Sequence, residues 1–427
     1  MLDPAIIESG TTGRLRMTSA DLNRSKERLA GIFLLGLTLL NFVGTLHLIW
    51  FLRNGYQDFT AFYHGAEMVR AGQAAQLHDL HPPFEELLFV PLTYLSYFPA
   101  YAVWTFLNVV MMMLSLGMVR RTFAETERLS PLFLILSVAA FAPAVRALMQ
   151  GQDSVLLLLL VTISLFLLVK GRVVLAGAVL GCGLFKFHLV LPLALVLAVR
   201  RPRLSLGLCP VAAVLVAIWA MMTGWHGIAD YGHVVVDVEN HGAGGTPIAE
   251  MPNLRGLIAE LAGKSGGSSV TVAAIVCAAA VLGIVLWKVG RRATGARFGF
   301  AAASVTCILV GYHAVTHDLT LLLPVVLMLF SAPGAATRSE MRLDAALFIV
   351  VYASLFMGSW FWPWLNPWWW IPMVVWICRK YGSVDAAASG NSQVARSGPP
   401  PRSTAKFLIG REMFTKRCNI QIPLDRR

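Results

Sequence analysis

The sequence predicts an all-α polytopic membrane protein, and three observations carry that prediction. Of 427 residues, 57% are hydrophobic and only 14% are charged, with a mean hydropathy of +0.66. A soluble domain has too little interior to hide that much apolar surface. The run 29–52 contains no Asp, Glu, Lys or Arg, and a span needs only about 20 such residues. The apolar runs are neither short nor alternating, as barrel strands would be. Helices are therefore expected, because they satisfy their own backbone polar groups in lipid.

The net charge is +12. In a membrane protein the simplest cause is Lys and Arg gathered in cytoplasmic loops, and no nucleic-acid partner is implied. Segment 1–28 is polar and has no cleavage site behind a short apolar core, so it reads as a cytoplasmic N-terminal segment. The six Cys form no CxxC pair, so neither a metal site, a cofactor nor a disulfide framework is read from them.

Charge then threads the chain. Arg14, Arg16, Arg24, Lys26 and Arg28 place the N-terminus inside, and 29–52 exits. The loop 53–83 is external. Segment 98–119 returns to Arg120, Arg121 and Arg128; 131–149 exits to "QGQDS"; 155–169 returns to Lys170 and Arg172. The stretch 173–199 is apolar except for Lys186 and His188, and basic clusters bound both its ends. A single helix would be roughly 40 Å long against a core of about 30 Å, and would strand one basic cluster outside. A re-entrant hairpin bent at "FKFH" keeps both inside and puts Lys186 at its tip, in a cavity open to the outer side. A single tilted helix is the alternative.

Segment 204–222 then exits, and "WHGIADYGHVVVDVENHGAGGTPIAEMPNLRG" reads as a long external loop. Segments 270–287, 298–315, 319–330, 343–359 and 371–378 follow, with "WFWPWLNPWWW" an interfacial aromatic cluster. Counting the hairpin arms separately gives about 12 membrane segments within a polytopic domain over 29–380. Segment 381–427 is polar, basic and Pro- and Ser-bearing, and reads as a disordered cytoplasmic tail. All ten His fall on the outer side or in the outer leaflet, with acids that include Asp58, Asp153 and Asp318. Loop polarity alone accounts poorly for Asp58, Lys186 and Asp318, which abut or interrupt apolar segments, where ionisable groups are costly.

An ordered set of motifs resembles the polyprenol-phosphate-mannose-dependent mannosyltransferases of glycosyltransferase family 87. "QDFTAFYHGAEMVRAGQAAQLHD" is similar to their first outer loop, and "PPFEELLFVPLTYL" to a Pro-flanked interfacial segment. "MQGQDSVLLLLL", "AGAVLGCGLFKFHLVLPLALVLAVRR", "MPNLRGL" and "THDLTLLLP" resemble the Gly-Gln corner, the central-Lys stretch, the Asn motif and the late His motif. The late motif here reads His317-Asp318 where the family pattern also has His-His, and "FH" separates the Lys from Pro192.

The resemblance implies a GT-C-type fold in a bacterial cytoplasmic membrane, with the active site on the extracytoplasmic face and a role in glycolipid biosynthesis. The donor would be a polyprenyl-phosphate sugar and the acceptor a lipid- or glycan-linked hydroxyl, with membrane lipids around both. Direct displacement at the anomeric carbon needs a base for the acceptor proton. Asp58, at the rim, suits that role; an N-cap of the following helix is its structural alternative. A leaving phosphate needs cations, for which Lys186, Arg255 and Arg146 are the candidates. For sugar and acceptor the candidates are Tyr63, His64, Gln152, His188, Asn253, His317 and Asp318. A GT-C transferase for another sugar is one alternative. A secondary transporter is a second, since broken helices with buried charges fit that class too.

Overall fold

The computed structural model describes residues 19–53, 58–77, 81–123, 126–240, 247–263, 267–291, 296–332 and 337–380. Every regular element among them is helical. In chain order they are α1 (Ser19–Arg53), α2 (Phe59–Arg70), α3 (Tyr97–Thr122), α4 (Pro131–Ala139), α5 (Ala142–Gln150), α6 (Ser154–Val169), α7 (Val173–Gly181) and α8 (Phe187–Ala198). Then come α9 (Ser205–Asn240), α10 (Leu254–Leu261), α11 (Ser268–Arg291), α12 (Ala296–Val310), α13 (Leu323–Ser331) and α14 (Arg338–Trp360), and α15 over 370–380. Short 3₁₀ turns fill several of the joints, among them Pro83–Leu88 and Thr316–Leu322.

Local chemistry sets the boundaries. Ser130 caps α4 by accepting from the Phe133 N–H at 3.2 Å, with Pro131 at the first helical position. Thr337 and Glu340 form a reciprocal capping box on α14. Gly151 ends α5 at φ 65°, a left-handed conformation that glycine reaches without strain.

Five helices are long and apolar enough to cross a membrane, within α1, α3, α9, α11 and α14. Two bent pairs, α4 with α5 and α7 with α8, raise that number to seven by length and composition. This is the all-α polytopic membrane architecture that the composition predicts. Its core gathers around α6, α8, α12 and α13. Helix α13 is buried along Leu323–Phe330, as expected of a helix apolar on every side and enclosed by others.

Three boundaries differ from the sequence reading. Helix α1 starts at Ser19, so Arg24, Lys26 and Arg28 lie on the helix itself and not in a preceding segment. The stretch after Met222 is helical to Asn240, where a loop was expected; Gly224 (φ 73°, ψ 171°) breaks α9 there and the helix resumes in a new direction. The expected turn in 173–199 is real but longer than a bend at one point: α7 ends at Gly181, the joint runs through the 3₁₀ turn Leu184–Lys186, and α8 starts at Phe187 within "FKFH", with a 68° change of direction. The arms therefore diverge and do not lie back to back as a hairpin, and Lys186 at the joint is only 5% exposed. The tail 381–427 lies outside the described residues.

Helix α7 meets the start of α9 backbone to backbone. A Cβ on Gly177 would stand 1.9 Å from the Leu204 carbonyl oxygen, and one on Gly207 would stand 1.8 Å from that of Val174. Small residues permit such approach between membrane helices. Farther along the chain, Asp344 is fully buried on α14 and accepts from Lys380 Nζ at 2.5 Å, joining α14 to α15. Lys26 reaches the Phe330 carbonyl at 2.5 Å, joining α1 to the end of α13. Cations at a helix C-terminus complement its exposed carbonyls.

Candidate active site

Helix α2 carries the first candidate. Its apolar face, Phe59, Phe62, Tyr63 and Ala66, is buried. Phe62 stacks on Phe89 at 4.6 Å, and Phe59 meets Tyr101 edge-on at 5.5 Å. Asp58 stands at the helix start, where its carbonyl accepts from the Ala61 N–H at 3.0 Å. Its side chain makes no capping bond. Instead its Oδ2 accepts from Gln152 Nε2. Burial raises the Asp58 carboxyl above the ordinary carboxylate range, and the Gln152 bond and the charges of His81, Lys186 and Arg146 oppose that rise.

Gln152 belongs to the corner between α5 and α6. A Cβ on Gly151 would lie 2.7 Å from Phe59 Cβ, so glycine here serves both the left-handed turn and the seating of α2. Trp104 Nε1 donates to the Gly151 carbonyl at 2.7 Å, and Asn108 Nδ2 to that of Gln152 at 3.1 Å. The corner is thereby fixed by α3, and with it the orientation of Gln152 toward Asp58.

The next two residues of the corner face inward. Lys186 Nζ lies 3.0 Å from Asp153 Oδ1, 2.8 Å from Asp318 Oδ1 and 3.0 Å from Ser154 Oγ. Ser154 Oγ donates to Asp318 Oδ1 at 2.8 Å, and Asp318 Oδ2 accepts from the Val315 N–H at 3.0 Å. Asp153, Ser154, Lys186 and Asp318 are each at most 5% exposed. The ammonium therefore donates to Asp318 and Ser154 and stands in ion-pair contact with Asp153. Removing charges from water costs several kcal/mol per ion, and the hydrogen bonds of Lys186 to Asp318 and Ser154 with its ion pair to Asp153 offset part of it. His317 extends the cluster outward, its Nδ1 3.2 Å from Gln150 Oε1.

A second carboxyl joins from the 3₁₀ turn Pro83–Leu88. Glu85 is fully buried, 3.0 Å from His81 Nδ1 through Oε2, and interacts with Asp153. Burial holds its carboxyl up to about 8, with the Asp153 charge adding to the rise and His81 opposing it.

The family model for glycosyltransferase family 87 matches residues 80–316, more than half of the chain. The chain belongs to glycosyltransferase family 87. It is a membrane glycosyltransferase, and the secondary-transporter alternative falls away. No curated protein and no solved structure matches it.

The family 87 match covers the corner, Lys186, Asn253 and Thr316, while Asp58 and His317 lie outside it. Arg146 is near enough to Asp58 and Glu250 to interact with both charges, and one of its N–H groups donates to the Ser359 carbonyl at 2.6 Å. Asn253 caps α10: its Oδ1 accepts from the Gly256 N–H at 2.8 Å and its Nδ2 donates to the Gly311 carbonyl at 2.8 Å. Arg255 stacks on Tyr312, 4.3 Å from the ring centre. His188 is half-buried, 6.5 Å from the His313 ring. Tyr63 donates to the Leu95 carbonyl at 2.7 Å, inside the packing of α2. His64 pairs with Glu67 at 2.9 Å on the exposed face of the same helix.

The sequence-predicted residues thus fall into two linked groups, Asp58 with Gln152 and Arg146, and Lys186 with Asp318 and His317. Asn253 and Arg255 form a flank, and His64 points away. Asp153, Ser154, Glu85 and His81 escaped the sequence reading as site residues. A signal existed for three of them: Asp153 directly precedes and Ser154 opens a charge-free helix, and Glu85 interrupts an apolar segment.

Proposed function

We propose that this family 87 glycosyltransferase moves a hexose, mannose in the first instance, from a polyprenyl-phosphate donor to a lipid- or glycan-linked hydroxyl on the extracytoplasmic face. The acceptor oxygen attacks the anomeric carbon as the bond to the donor phosphate breaks. Asp58 takes the acceptor proton and polyprenyl phosphate leaves. The observation that carries this reading is the Asp58 carboxylate itself. It is half-buried at the end of the first apolar helix, free of capping duty, oriented by Gln152 and raised by burial toward the range a general base needs.

Arg146 is the cation nearest in role to the leaving phosphate, since it interacts with Asp58 and a guanidinium has N–H groups beyond the one given to Ser359. Lys186 has its protons engaged, so its part is to hold Asp153, and through the corner Gln152, in register. His317, at 8% exposure, and Gln150 are placed beside this cluster to meet sugar hydroxyls. His188, Asn253 and Arg255 support the outer wall.

The test is transfer by purified protein in lipid, with labelled polyprenyl-phosphate mannose and a membrane-lipid extract as the acceptor pool. Wild-type protein is expected to form a labelled product. Asp58→Asn is expected to lose about 10²–10⁴-fold in rate, with insertion and folding intact. Transfer by Asp58→Asn at the wild-type rate would remove Asp58 as base. Label transferred only from another polyprenyl-phosphate sugar would reassign the donor and keep the base.

A further inference from the structure

A groove on the opposite side of the protein from Asp58, by the positive-inside rule, holds chemistry that sugar transfer does not use. It lies between the start of α1 and the start of α4 and encloses about 500 Å³, within the size range of small-molecule pockets. Its walls are aliphatic: Ile32 and Leu35 from α1, Leu132 and Leu136 from α4. Ile32 is 73% exposed and Leu132 64%, so the walls open to the membrane.

The mouth is cationic. Arg24 and Arg28 stand one helical turn apart on α1, both exposed. Neither makes an ion pair among the described residues. Glu27 also lines the groove, but its Oε1 accepts from the Ser130 N–H at 3.0 Å, so it braces α1 against α4 and leaves the guanidinium groups to face outward. At the floor, a Cβ on Gly31 would meet nothing within 4 Å.

We infer that this groove is a binding site for an anionic glycerophospholipid of the cytoplasmic leaflet. The phosphate is held by Arg24 and Arg28, and one acyl chain lies along Ile32, Leu35, Leu132 and Leu136. Charge complementarity argues for this occupant: an anionic headgroup brings net negative charge to the two exposed guanidinium groups, whereas a zwitterionic headgroup adds its own cation beside them and an apolar protein helix brings no anion.

The experiment is a lipid titration of the full-length protein in neutral detergent, read by native mass spectrometry and by thermal unfolding. The probes are phosphatidylglycerol, phosphatidylcholine and inorganic phosphate. Phosphatidylglycerol is expected to bind about 30-fold more tightly than phosphatidylcholine, at roughly fivefold per arginine, and to raise the unfolding temperature. Arg24→Gln/Arg28→Gln is expected to abolish that preference. Gly31→Leu, which fills open space without a clash, is expected to displace bound lipid while the lipid-free protein unfolds no earlier than wild type. Equal binding of the two lipids would overturn the proposal, as would a preference that survives both variants. Stabilisation by inorganic phosphate equal to that by phosphatidylglycerol would also overturn it, because that would make the mouth a free-anion site.

Discussion

Asp58 and Gln152 form the smallest unit on which the chemistry depends. A buried carboxyl favours its protonated form, and the Gln152 amide favours the ionised one. Gln152→Leu removes that amide and leaves the burial, so the Asp58 carboxyl moves further up. A base works only when ionised, so the acid side of the pH–rate profile is expected to shift to higher pH in the variant, with the rate recovering toward wild type as pH rises. A profile that falls uniformly at every pH would instead mean that Gln152 positions the substrate. Lys186 gives the contrasting residue-scale case. Lys186→Met leaves Asp153 and Asp318 buried against each other, and removing one partner of a buried ionic cluster costs about 3–5 kcal/mol. Early thermal unfolding of Lys186→Met is therefore expected. Unchanged unfolding with a raised apparent KM for donor would return Lys186 to the phosphate-binding role that its sequence position suggests. These residues also mark how far the sequence could be read. Asp58, Gln152, Lys186 and Asp318 stand out because each abuts or interrupts an apolar run. That one ammonium would gather 153, 154 and 318 around it depends on packing between distant helices, which no local pattern encodes. The same limit hid Glu85: its neighbour in space, Asp153, is far along the chain.

At the scale of elements, the apolar runs were legible because membrane spans need length and freedom from charge, and both are local properties. Helix ends were less so. The α1 start at Ser19 is not visible in the apolar run because polar residues just beyond the bilayer still propagate a helix once the span has nucleated it, whereas the stretch up to Asn240 is a separate helix that begins beyond the break at Gly224. The break in 173–199 includes "FKFH", where Lys186 leaves helical geometry and α8 begins at Phe187, and it extends back to Gly181 and Gly183, which weaken the helix. The α7–α9 seam makes an element-scale prediction. Gly207→Val inserts a side chain where even a Cβ would overlap the Val174 carbonyl at 1.8 Å. The helices must part, and early unfolding or poor accumulation in the membrane is expected, with Gly283→Val, which has open space around it, as the control that leaves stability unchanged. Equal stability of the two variants would mean that the seam is not a close crossing in the membrane.

For the whole molecule, the two sides of the membrane carry different devices. One side collects Asp58, the corner and the ionic cluster; the other collects Lys26, Asp344, Lys380 and the arginine-lipped groove. The sequence-derived threading assigns the first to the outside and the second to the cytoplasm. That assignment is checked by cysteine labelling in intact cells of a cysteine-free background. A single cysteine at His64 is expected to react with an impermeant maleimide, and one at Arg28 to react only after the cells are opened. The reverse pattern would invert the molecule and move the transfer reaction to the cytoplasmic face.

The ionic cluster has a consequence for how this chain is made. Its members sit at 153, 186 and 318, and synthesis delivers them in that order. When the ribosome has just completed α8, Asp153 and Lys186 are present and Asp318 is more than a hundred residues from existing. The lysine then has Asp153 and Ser154 but still lacks Asp318, and its segment is poorly matched to lipid. The first half of the molecule is thus assembled on loan, held by the insertion machinery or by neighbouring helices until Thr316–Leu322 brings the Asp318 carboxylate to the ammonium. A chain that stops short of that turn is expected to be cleared by membrane proteases even though most of its spans are already in place.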